Sequence, residues 1–90
     1  MDMLRAAQDG DLALLKYHVS NGIKINYQHP EYMTTALIEA ATFGHLEIVQ
    51  FLLDNGADPN IKAGFENDTA LKMAKKNKHK EIVKLLKKYK

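Results

Sequence analysis

His45 and His79 stand 34 residues apart, and two imidazoles brought to one edge of a fold could together hold a metal ion. Cysteine is absent, and His18 and His29 have no companion at metal-ligand spacing, so neither a metal nor another cofactor is expected. Catalysis needs acid, base or nucleophile groups that converge, and its usual signatures are missing: no phosphate-binding glycine loop, no His-Glu-x-x-His, no nucleophile elbow. Asn67-Asp68-Thr69 spells a glycosylation acceptor but reads better as a turn followed by a helix cap. The run Lys75-Lys76-Asn77-Lys78-His79-Lys80 could form a nuclear localisation signal or a nucleic-acid patch. No aromatic residues are interleaved with those lysines to stack on bases, so a solvated helix face is the stronger reading.

Ninety residues fit one domain, 1–90, and a chain of this size buries only roughly 60 to 65% of the surface its unfolded form exposes. No apolar run approaches the roughly 18 residues of a transmembrane helix, and no membrane association is expected. The segment Met1-Asp2-Met3-Leu4-Arg5-Ala6 does not resemble a secretory signal. Together with the missing cysteines, this leads us to expect an intracellular protein, cytoplasmic with the nucleus open to it. The net charge of +2 hides an asymmetry: residues 1–60 hold three basic groups against eight acids, a balance of −5, and residues 61–90 hold ten lysines against three acids, +7.

The elements that would position these groups follow from internal repetition. A shift of 34 residues aligns Met3, Leu37 and Leu71; Ala6, Ala40 and Ala74; Leu14, Ile48 and Ile82; and Tyr17, Phe51 and Leu85. It also pairs Gly10 with Gly44, Gly22 with Gly56, Asn26 with Asn60 and Thr35 with Thr69. In the middle unit Thr35 caps a short helix running to Phe43, and Ala40 and Ala41 allow close approach of a neighbour. Gly44 then breaks the helix. The second helix, His45 to Asp54, sets Leu46, Val49 and Leu53 on one stripe with Ile48 and Leu52 beside it. Asn55-Gly56 stops it, and an extended, turn-rich connection leads to Thr69. In the last helix Ile82, Val83, Leu85, Leu86 and Tyr89 form the buried stripe, with Lys80, Lys84, Lys87, Lys88 and Lys90 away from it.

Thr35-Ala36-Leu37, Ala40-Ala41, Gly44-His45-Leu46-Glu47-Ile48-Val49 and Gly56-Ala57-Asp58-Pro59-Asn60 resemble the ankyrin repeat. The resemblance covers nearly the whole chain as three repeats, about 1–30, 31–64 and 65–90. It implies an all-α solenoid of three stacked helix-turn-helix units with short β-hairpin fingers. The terminal repeats depart from the pattern, as at Lys75 and Lys78, where a stack needs polar caps. Ala36 and Ala70 replace the family's usual proline, and the period exceeds the usual 33 by one residue, which falls in the fingers, 22–34 and 56–68. In this family the histidine at positions 45 and 79 bonds the turn between repeats, and the asparagine at position 60 braces the finger.

The function implied by the resemblance is recognition of another protein, without catalysis, by a chain that is monomeric when free. Ankyrin domains contact their partners through finger tips and the exposed side of each first helix, which form one concave face. Carried over to this chain, those positions are Gln8 and Asp9 in the first repeat, with Gln28 and Lys62 at the fingers. The second repeat adds Glu31, Tyr32, Thr34, Thr42 and Phe43, and the third adds Phe65, Glu66, Asp68, Lys76 and Asn77. Tyr32, Phe43 and Phe65 are not needed by the helical core pattern, so they stand as candidate anchors unless they pack between the fingers. The alternative function is an electrostatic adaptor whose lysine-rich C-terminal repeat engages nucleic acid or an acidic surface.

Overall fold

The computed structural model describes residues 2–89 and contains six helices: α1 (Asp2–Asp9), α2 (Leu12–Ser20), α3 (Ala36–Phe43), α4 (Leu46–Asp54), α5 (Ala70–Lys76) and α6 (Lys80–Lys87). Lys90, which the sequence sets on the solvated side of the last helix, lies outside the described residues. None of the helices is long and apolar enough to cross a membrane.

Local chemistry sets the helix starts. Thr35, only 2% exposed, accepts the Ile38 N–H on Oγ1 at 3.2 Å, and Thr69 does the same for Lys72 at 3.1 Å. Asp11 caps α2 by accepting the Leu14 N–H at 3.0 Å. Between paired helices the chain turns through a left-handed residue, Gly10 (φ 77°), Gly44 (φ 80°) and Lys78 (φ 61°) in the three repeats. The carbonyls of Ala6, Ala40 and Ala74 each accept a backbone N–H from the residue after that turn, at 2.9 Å.

The first helices form an inner row, α1 on α3 and α3 on α5, and each packs on the second helix of its own repeat. Ala6, Ala7, Ala40, Ala41 and Ala74 are at most 1% exposed along that row, since only a methyl group lets helices approach so closely. Met3, Leu15, Leu37, Ile48, Val49, Leu52 and Ile82 fill the space beside them. Each such side chain contributes roughly 1.5–3 kcal/mol by leaving water.

Three expectations are refined. Leu46 is not on the buried stripe of α4 but 41% exposed, whereas Ile48, Val49, Leu52 and Leu53 are buried. The same position holds half-buried Leu12 and exposed Lys80 in the other repeats, so it marks the edge of the stripe. In α6 only Ile82 and Leu86 are buried, and Val83, Leu85 and, just past the helix end, Tyr89 are half-covered, because no further helix of the described residues packs beyond them. The fingers carry little β structure. The second closes through one antiparallel bridge, Ala63 with Asp68, both bonds 2.9 Å. The first makes a single equivalent bond, His29 N–H to Thr34 O at 2.9 Å. Each finger spends its remaining length on turns through left-handed residues, Met33 in the first and Gly64 and Asn67 in the second, which leaves no straight arm for a ladder.

Candidate functional site

The two histidines one repeat apart each bind the preceding repeat. His45 Nε2 lies 2.7 Å from the carbonyl of Gln8, and His79 Nε2 lies 3.0 Å from that of Thr42. A carbonyl can only accept, so Nε2 carries the proton in both rings. Among the described residues, no three His, Asp or Glu side chains gather as a metal site.

Side chains brace the fingers to one another. Asn26 accepts the Asp58 N–H at 2.8 Å and donates to the Gly56 carbonyl at 3.5 Å. Gln28 Nε2 donates to Met33 O at 2.8 Å and to Lys62 O at 3.4 Å. The brace assigned to the Asn60 side chain is therefore supplied by Asn26, and Asn60 contributes its backbone N–H to the Asp58 carboxylate at 2.9 Å. In the first finger His29 Nδ1 accepts the N–H groups of Glu31 and Tyr32, and its ring lies 4.9 Å from that of Tyr32. Tyr32 is thus held by its neighbours yet remains 67% exposed.

The fingers and the inner helices enclose two adjacent hollows. One, of about 330 Å³, is lined by Leu4, Arg5, Gln8, His29, Tyr32, Thr34 and Glu39. The other, of about 280 Å³, is lined by the aromatics Tyr32 and Phe43, by apolar Ile38 and Met73, and by Thr34, Glu39, Thr42 and Asp68. Tyr32, Thr34 and Glu39 line both, so the hollows form one groove. Its central carboxylate, Glu39, accepts from Gln8 Nε2 at 2.6 Å and from the Thr34 hydroxyl at 2.8 Å. Both donors are neutral, and among the described residues Glu39 has no cation within ion-pair distance, whereas Asp68 is paired with Lys72 at 3.0 Å and Asp9 with Arg5 at 3.3 Å.

Of the residues carried over from the family, Gln8, Tyr32, Thr34, Thr42, Phe43 and Asp68 line this groove. Phe65, Glu66 and Glu31 stand exposed on the fingers, Phe65 completely so. Lys76 and Asn77 sit at the end of α5, where Asn77 Nδ2 donates to Met73 O at 2.9 Å. The amide of Gln28 is occupied by the finger brace, and Lys62 enters that brace through its backbone. None of the three aromatics is packed away between fingers: Phe43 keeps 54% of its surface exposed. Glu39, Arg5, His29 and Met73 also line the groove and were not among the carried-over positions. Glu39 was within reach of sequence reasoning, because it stands three and four residues before Thr42 and Phe43 and so shares their helix face.

The lysine-rich end lies elsewhere. Lys75, Lys78, Lys80 and Lys84 surround Val83 on one depression of the third repeat.

Paired helices stacked by a periodic latch, with short fingers beside the inner helices, define a stacked-repeat domain. The chain belongs to the ankyrin-repeat family: the family model for ankyrin repeats in three copies matches residues 3–90. A search among curated proteins returned no match. Members of this family are generally protein–protein interaction modules and typically carry no catalysis.

Proposed function

We propose that this chain docks a segment of another protein in the groove between its fingers and inner helices, with Tyr32 and Phe43 as the anchors. The observation that carries this reading is the pair of exposed aromatics that line one hollow together with apolar Ile38 and Met73. Phe65 at the next finger tip extends the contact, and Glu31, Glu66 and Asp68 form a polar rim.

The test is calorimetry of a partner captured from the source cell, titrated against alanine variants and accompanied by thermal melts. Tyr32→Ala and Phe43→Ala should each weaken the complex by about 2 kcal/mol or more and leave the melting temperature nearly unchanged. Gln50→Ala and Asp54→Ala serve as controls, since these side chains bond each other on α4, at 2.8 Å, away from the groove. Sensitive controls with insensitive aromatics would move the interface to the second helices. A second reading, the electrostatic adaptor, is favoured by the four lysines around Val83. It requires affinity to fall steeply with added salt, because counterion release drives such contacts.

A further inference from the structure

We propose that the hollow lined by Tyr32 and Phe43 receives a basic side chain of the docked segment, an arginine, with Glu39 as its counter-charge. This rests on the docking reading above and names the chemistry that the groove selects.

The hollow has the composition of a cation receptor. Tyr32 and Phe43 both line it, and the negative faces of aromatic rings attract a cation within about 6 Å of their centres. The molecule uses the same contact elsewhere, with the Lys16 ammonium 5.7 Å from the centre of the Phe51 ring. Two carboxylates border the hollow and no basic side chain lines it. Asp68 is already committed to Lys72 at 3.0 Å, which leaves Glu39 as the formal charge without a cationic partner. Gln8 and Thr34 each occupy one Glu39 oxygen, fixing the carboxylate in the groove while a second acceptor position stays free on each oxygen. A planar guanidinium can meet both oxygens at once and lie flat on an aromatic face, which a point-like ammonium cannot. The aliphatic stem of an arginine would cover the half-exposed Met73.

The probes are N-acetylarginine N-methylamide and its neutral citrulline counterpart, titrated into the 15N-labelled chain and followed by the amide resonances of residues 32–43 and 63–68. The arginine probe should shift those resonances and bind about tenfold or more tightly than citrulline, which has nearly the same shape but lacks the positive charge and one nitrogen's N–H donors. Glu39→Gln, which retains oxygen and shape, should weaken the arginine probe by about tenfold, and Tyr32→Leu by about threefold. Equal binding of the two probes, shifts confined to other residues, or no shift up to solubility would each overturn the inference. None of those results touches the docking reading, which stands or falls on the alanine variants of Tyr32 and Phe43 against the captured partner. If those variants leave the partner unaffected while the arginine probe binds as expected, the hollow is a cation site and the protein interface lies elsewhere.

Discussion

Gly44 answers to two constraints that sequence shows only as one. Its φ of 80° is in the left-handed region, and a Cβ placed there would lie 2.7 Å from Cε1 of His79. Gly10 meets His45 in the same way, whereas Gly56, at φ 91°, faces open space. Gly44→Ala should therefore destabilise the fold by about 2 kcal/mol or more, and Gly56→Ala by about 1, the penalty of the left-handed backbone alone. Lys78 occupies the equivalent site at φ 61°, with no histidine of a following repeat above it among the described residues. Lys78→Gly should raise stability by about 0.5–1 kcal/mol through relief of that backbone. Urea denaturation of the three variants tests the set, and equal losses for the two alanine variants would remove the histidine ring from the account. The glycines, the histidines and their 34-residue spacing were plain in the sequence. That the ring of one repeat lies over the glycine of the one before was not, because it is a contact between residues 35 positions apart.

At the scale of the element, α3 is the keystone, packed on α1, α4 and α5 together. Ala7, Ala41 and Lys75 share one register position, and the first two are fully buried while Lys75 is exposed. Ala41→Glu should cost several kcal/mol and can unfold so small a domain, because the carboxylate would enter a helix contact with no partner. Lys75→Glu, one repeat later, should change the thermal midpoint little, and circular dichroism of the pair checks both. Caps, breaks and core stripes of the helices could be read from periodicity and from Thr35, Thr69 and Gly44. The stripe edges could not, since helical spacing places Leu46 beside Val49 without saying how far the neighbouring helix reaches. The fingers were the least legible. Their shape depends on Asn26 and Gln28 bonding across to the next finger, and on Met33 and Asn67 adopting positive φ, neither of which a local pattern encodes. At the groove, the aromatics stood out because the core did not need them. Glu39 did not stand out, because a glutamate on a helix face is ordinary until the hollow around it is known.

Over the whole molecule, charge and shape divide the surface between two ends. The groove is made by the fingers and the inner helices, whereas Lys84, Lys87 and Lys88 border a separate depression with Leu46 and Leu85 on the outer helices. Lys84 makes only a 3.9 Å pair with Glu81, with both side chains more than 70% exposed, and such a pair adds little to stability. The lysines follow the apolar stripe of α6 on its outward side, near the helix C-terminus, where positive charge complements the backbone dipole. Their mutual repulsion offsets part of that gain, and added salt screens both effects. Replacing Lys84, Lys87 and Lys88 together with glutamine should thus shift folding stability by no more than about 0.5 kcal/mol, while reducing solubility as net charge falls. Affinity for a captured partner and its dependence on salt should match those of the unaltered chain, because no replaced residue touches the groove. Calorimetry of the triple variant at low and moderate ionic strength makes the comparison. A lost complex, together with wild-type affinity that drops steeply with salt, would transfer recognition from the aromatic groove to the lysine-rich end.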